Sequence, residues 1–166
     1  ISDVIDHPGS CVVLTGEAGC GKSYLAQAAA YQVEAQIAHP VQCIIIDHAD
    51  GRGFCAGGDI RFLQESALVG GEAGRKFFHD EYQLNHLLFT YPKPVIAFMD
   101  GITMGGGVGI SQPAKYRIAT ENTRFAMPET GIGLFPDVGG GWYLSRLPGR
   151  VGQYLALTGA RIDGAD

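Results

Sequence analysis

Three clusters of glycine each follow an apolar run, and their placement limits what this chain can fold into. GEAGCGKS at 16–23, GRGFCAGG at 51–58 and GITMGGGVG at 101–109 each come after a short apolar run: Cys11–Thr15, Val41–Ile46 and Val95–Met99. The first two lead into helix-forming stretches, over Tyr24–Ala38 and from Asp59 onward, and the third into a short helical or irregular segment. Apolar run, glycine turn, helix is the order of an α/β fold. There are 25 glycines in 166 residues. Gathered in loops as they are, they point to backbone approaching a ligand rather than to low complexity.

The remaining elements follow from spacing. Arg75–Thr90 carries Phe77, Phe78, Tyr82, Leu84 and Leu88 on one helical stripe, and Tyr91-Pro92-Lys93-Pro94 ends it. Tyr116–Thr120 and Thr123–Met127 read as short strands, Val138–Leu147 and Val151–Thr158 as helices around Pro148-Gly149. With 46% apolar and 17% charged residues, the chain has the composition of one globular domain. A net charge of -5 and the absence of any basic cluster exclude a nucleic-acid footprint. No apolar run reaches membrane-spanning length. Cys11, Cys20, Cys43 and Cys55 lack CxxC spacing and read as reduced buried thiols, which suits a cytosolic or matrix-like compartment.

The first glycine cluster completes the pattern GxxxxGK[ST] in Gly16, Gly21, Lys22 and Ser23, between a strand and a helix. Free N–H groups, a helix start and an ammonium make a phosphate cradle. Asp47, closing the next strand, would be the acid that holds a metal ion in such a site. Residues 1–50 therefore read as a P-loop-like βαβ segment packed into the same domain as a core at 51–166. ATP with Mg²⁺ is its expected ligand, and a nucleotide-binding module is the alternative function.

The chemistry concentrates further on, in FAMPETGIGLFPDVGGG at 125–141. Glu129 and Asp137 stand there among Met127, Ile132, Leu134, Phe135 and Val138, surroundings expected to exclude water and perturb both acids. The start of a helix after Asp137 would favour its ionised form, leaving Glu129 as the proton carrier. Glu81 falls inside the apolar stripe of 75–90, so it either pairs with a cation or lines a polar pocket. Gly58 and Gly106, preceded by Gly57 and Gly105, each offer a backbone N–H at a helix start, and two such donors make an oxyanion hole. His79 and His86 have no third ligand in a recognisable pattern, and no metal site is expected.

FCAGGDI, YPKPVIAFMDGITMGGGVGIS and FAMPETGIGLFPDVGGG together resemble the crotonase superfamily, and within it the branch of 3-hydroxyisobutyryl-CoA hydrolases, over residues 41–166. The resemblance implies a ββα spiral core and an acyl-CoA thioester whose carbonyl lies between the N–H groups of Gly58 and Gly106. It further implies Glu129 and Asp137 as catalytic acids, with Glu81, Gly57 and Gly105 contacting substrate. Glu129 would act as general base on water or attack the thioester to form an anhydride. No cofactor is required beyond the CoA of the substrate. Enoyl-CoA hydratases carry a glutamate at the place of Gly109 and a glycine at that of Asp137, so hydration is disfavoured. The hydrolases continue beyond residue 166, so this chain is expected to be a truncated spiral that exposes apolar surface and self-associates. Hydrolases of this kind work in the mitochondrial matrix of eukaryotes and the cytoplasm of bacteria. Gly21, Lys22 and Ser23 would then hold CoA phosphates in place of ATP.

Overall fold

The computed structural model describes residues 11–14, 43–48 and 53–166. Strands β1 (Cys11–Leu14), β2 (Cys43–Ile46), β3 (Val95–Met99) and β5 (Tyr116–Ala119) form one sheet in the order β1-β2-β3-β5, parallel throughout. A smaller sheet contains β4 (Ile102–Met104), β6 (Arg124–Ala126) and β7 (Ile162–Asp163), with β6 parallel to β4 and antiparallel to β7.

The chain passes from the first sheet to the second after β3, across Asp100 and Gly101, and again after β5. Gly53–Cys55 makes the same passage after β2. It bridges Gly101 and Thr103, with the Cys55 N–H donating to the Ile102 carbonyl at 2.8 Å and the Met104 N–H to the Cys55 carbonyl at 2.8 Å. Each passage then enters a helical turn: α1 (Ile60–Leu68) followed by the long α2 (Glu72–Thr90), α3 (Gly106–Ser111), and a 3-10 turn over Glu129–Ile132. Strand, strand, helix is thus repeated three times, as a ββα spiral. The crossings are fastened to each other, since the Thr120 hydroxyl donates to the Asp100 carboxylate and the Thr123 hydroxyl to the Met99 carbonyl at 2.6 Å.

Residues on β3 alternate, with Val95, Ala97 and Met99 buried. Together with Ile44, Ile46 and Phe54 they meet Leu84 and Leu88 of α2. Burying each such large side chain contributes about 1.5–3 kcal/mol, so α2 is held by this apolar contact. A second cluster, Val108, Met127, Val138, Leu144 and Leu155, joins α3 to α4 (Gly140–Leu144) and α5 (Val151–Thr158).

Several expectations need correction. The stripe of α2 that is buried runs through Gly74, Glu81, Leu84 and Leu88, whereas Tyr82 lies off it, 43% exposed. The helix expected over Val138–Leu147 is the five-residue α4, because Val138 and Gly139 have φ of +43° and +86°, which no helix accommodates. Ile102–Met104, read as part of a glycine turn, is a strand. Cys43 is disulfide-bonded, so the reading of four reduced thiols does not hold for it; Cys55 is free and buried. The P-loop residues Gly16, Gly21, Lys22 and Ser23, the helix over Tyr24–Ala38, and Cys20 lie outside the described residues. Among the described residues, no helix is long and apolar enough to cross a membrane.

Candidate active site

Two glycine turns meet at the helical ends of the spiral. Gly57 and Gly105 have φ of +97° and +53°, conformations that favour glycine. The turns abut: a Cβ on Gly57 would lie 3.2 Å from the Gly106 nitrogen, and a Cβ on Gly106 would lie 3.3 Å from the Gly57 Cα. Asp59 caps α1, its carboxylate accepting from the N–H groups of Arg61 at 3.0 Å and Phe62 at 3.2 Å. The N–H groups of Gly58, just before that cap, and of Gly106, first residue of α3, donate to no acceptor among the described residues.

Both turns open on a single cavity of about 290 Å³ lined by Gly57, Gly58, Gly105, Gly106, Glu81, Glu129 and Asp137, with Phe77, Phe78, Ile132 and Leu134 as apolar wall. The fold therefore brings together all seven residues singled out around the thioester site, though they span 80 positions of the chain. Glu81 is buried on α2, its Oε1 2.7 Å from where a Cβ on Gly106 would stand. A side chain at 106 would displace it.

Glu129 opens the 3-10 turn and is 7% exposed. Its Oε1 is 3.1 Å from the Cβ position of Gly105, and its buried Oε2 has no hydrogen-bond partner among the described residues. Burial pushes its carboxyl above the ordinary value, a bond from its own backbone N–H pulls it partly back, and the charge of Asp137 adds a further upward push. Part of the expected apolar shell is not in place. Met127 and Val138 are buried beside the acids, but Ile132, Leu134 and Phe135 are exposed, the first two at the cavity rim.

Asp137 is held by a side chain that the sequence reading passed over. The Tyr82 hydroxyl donates to Asp137 Oδ2 at 2.7 Å. This contact replaces the helix start expected to stabilise that carboxylate, and α4 begins only at Gly140. Burial, followed by the bond to Asp137, raises the Tyr82 phenol above its ordinary value. Phe77 was also missed as a site residue; its ring covers Gly58, within 2.6 Å of where a Cβ would stand. Neither residue carries a local signal beyond membership of a helical stripe. His79 and His86 are exposed, His79 beside Gln83. Asp47 accepts from the His48 N–H at 2.8 Å, and among the described residues no group of three ligating side chains could hold a metal ion.

A sequence profile of the enoyl-CoA hydratase/isomerase family matches residues 24–166, and the chain belongs to that family. The match starts one residue past Ser23 and lends no support to a P-loop. Within the family, the chain is 57% identical over 123 residues to the mitochondrial 3-hydroxyisobutyryl-CoA hydrolase of Xenopus tropicalis, and 54% identical to that of Homo sapiens. Each alignment covers 74% of this chain and 32% of the relative, so the chain spans about a third of the length of the curated relatives it matches. Among solved structures it resembles a carnitinyl-CoA dehydratase from Mycobacterium thermoresistibile, with TM-score 0.84 and 41% identity over 94% of this chain and 47% of that one. An enoyl-CoA hydratase from Rhodobacter sphaeroides 2.4.1 is similar at TM-score 0.81 and 38% identity, over 94% of this chain and 48% of that one.

Proposed function

We propose that this chain carries the catalytic core of an acyl-CoA thioester hydrolase whose substrate is 3-hydroxyisobutyryl-CoA. The observation that supports this most is the pairing of Glu129, with its unpartnered Oε2, and the unpaired N–H groups of Gly58 and Gly106 in one cavity. The thioester carbonyl oxygen sits between the two N–H groups. Water held by Glu129 Oε2 attacks the carbonyl carbon, and Glu129 takes the proton that water gives up. Charge gathering on the oxygen is met by the two amides, each donor of this kind being worth about 3 kcal/mol. The intermediate collapses, the carbon–sulfur bond breaks, and Glu129 returns its proton to the leaving thiolate, giving free CoA and 3-hydroxyisobutyrate. A carboxyl raised by burial suits both transfers, because it holds a proton more readily than an ordinary glutamate. Asp137 accepts a hydrogen bond from the substrate hydroxyl, and Glu81 fixes the acyl group beside Gly106. Nothing beyond water and the substrate's CoA is needed.

Double-bond hydration is the less favoured reading. It calls for a second acid at the position of Gly109, where packing leaves no room for one. The P-loop reading, with ATP and Mg²⁺ or CoA phosphates at Lys22 and Ser23, rests on residues outside those described. Titration with CoA and, separately, with ATP and Mg²⁺ tests it. The vertebrate relatives are named as mitochondrial, which favours a mitochondrial place for a eukaryotic source; the matrix and a role in valine breakdown follow from the resemblance to the hydrolases and not from those names. Exposed Trp142, Tyr154 and Leu157 favour a homo-oligomer. The central test is release of free thiol from 3-hydroxyisobutyryl-CoA by the purified chain. Activity that survives unaltered in Glu129→Gln sinks the proposal.

A further inference from the structure

We infer that Tyr82 is a positioning residue of this site, gripping Asp137 from outside the main cavity and so fixing the direction of the carboxylate that meets the substrate hydroxyl. The inference rests on the thioester-hydrolase reading for the nature of the substrate. Asp137 lines two spaces: the main cavity, and a shallower pocket of about 350 Å³ formed with Tyr82, Phe135, Pro136 and Val138. Tyr82 lines only the second. Its hydroxyl reaches Oδ2 across 55 positions of sequence, at 2.7 Å, from the second pocket and not from the main cavity in which the substrate is proposed to bind. Substrate therefore does not displace it, and one oxygen of Asp137 remains committed while the other is left to the cavity.

The grip is rigid at both ends. On α2, Glu81 packs against Gly106, and the very next residue holds Asp137, so a single turn of a 19-residue helix sets the distance between two walls of the cavity. The Tyr82 ring leans on Phe78, centroids 5.9 Å apart, and Phe78 meets Phe77 edge-on at 5.5 Å. At the other end, Asp137 precedes Val138, buried and at positive φ, a backbone with little freedom to follow its side chain. With its phenol shifted upward, Tyr82 stays a donor through the neutral range.

The test compares 3-hydroxyisobutyryl-CoA with isobutyryl-CoA, which lacks the hydroxyl, in the wild type, Tyr82→Phe, Asp137→Ala and the double variant. Preference between the two is read as a ratio of kcat/KM and also as a ratio of Kd by calorimetry. Loss of a hydrogen bond to a charged group is expected to lower the preference roughly tenfold in Tyr82→Phe. In the Asp137→Ala background the same change should do nothing more, because the two act as a unit. An intact preference, an equal loss on both esters, or additive losses would overturn the inference; equal loss is what a merely structural tyrosine gives. A wild type that binds with preference yet releases no thiol defeats the hydrolase reading alone, since the Kd cycle still decides the role of Tyr82. A wild type that binds neither ester defeats both.

Discussion

Gly109 and Val138 are packed so closely that a Cβ on the glycine would lie 2.5 Å from the Cβ of the valine and 3.0 Å from Asn85 Nδ2. The Gly109 carbonyl accepts from that same Asn85 amide at 3.1 Å. This is where the resemblance puts the second acid of the hydratases, and here the space belongs to a valine with φ of +43°. Restoring the acid alone therefore cannot restore hydration. Gly109→Glu should lower the free energy of unfolding in urea by about 1–3 kcal/mol through overpacking. It should show no hydration of an α,β-unsaturated acyl-CoA when loss of the conjugated thioester's ultraviolet absorbance is followed. A stable variant that gains hydratase activity would show that Val138 yields.

Glu129→Gln keeps shape and volume while removing the proton acceptor. Turnover of the thioester should fall by roughly 10²–10⁴, the usual worth of a general base. Its effect on stability should have the opposite sense at neutral pH. The carboxyl titrates above its ordinary value in the fold, so the native state binds more protons than the unfolded chain between the unfolded and folded pKa values. The favourable term from a protonated Glu129 is complete below the unfolded value and is lost as pH rises through the folded one. At pH 7 the glutamine variant should thus melt no lower than the wild type. The comparison should shift in favour of the wild type below pH about 4.5, where both forms are uncharged. Melting temperature against pH for the two proteins decides this.

Much of the site could be read from the sequence because its parts are locally abnormal. Glu81 interrupts an apolar stripe, Glu129 and Asp137 stand in an apolar loop, and the glycines at 57–58 and 105–107 cluster after strands. Such departures from ordinary composition are visible one segment at a time. Spacing finds β6 but not β4, whose three residues leave no room for a period of two to show, so the threefold strand, strand, helix order comes from the resemblance and not from periodicity. Tyr82 was read as part of the core, since a stripe assigned by spacing cannot tell a residue at its border from one within it. The loop at 132–135 was read as an apolar shell, yet its side chains are exposed, because hydrophobicity alone does not say which way a turn faces. The positive φ of Val138 had no signal, and its close contact with Gly109 joins segments far apart in sequence.

Gly57→Ala tests the oxyanion hole without touching an acid. The residue has φ of +97°, and a methyl group there would stand 3.2 Å from the Gly106 nitrogen. Strain of this kind costs about 1–3 kcal/mol of stability. The crowded donor should lower kcat by as much as roughly 10²–10³, the worth of one oxyanion contact. A loss confined to stability, with kcat per folded molecule unchanged, would mean that the Gly106 N–H does not face the carbonyl.

The last prediction separates water activation by Glu129 from an anhydride route in which water opens the anhydride at the carbonyl of Glu129. If Glu129 acted as nucleophile, its carboxylate oxygen would bond to the acyl carbon as CoA leaves, and water would then open the anhydride. In H₂¹⁸O that route deposits the label in Glu129 whenever water attacks the enzyme's carbonyl. Proton transfer through Glu129 never makes or breaks a bond to its oxygens, and the label goes only to 3-hydroxyisobutyrate. The buried, upward-shifted carboxyl with an unpartnered Oε2 favours proton transfer, since such a group takes up and holds a proton more readily than an exposed glutamate. Repeated turnover in H₂¹⁸O should therefore leave the peptide containing Glu129 at its natural mass, with label in the released acid. The acid limb of kcat/KM against pH should fall above the ordinary glutamate value, because only the ionised base accepts a proton from water and this one ionises late. Labelled Glu129 would replace the general-base step by an anhydride and leave the two amide donors with the same task.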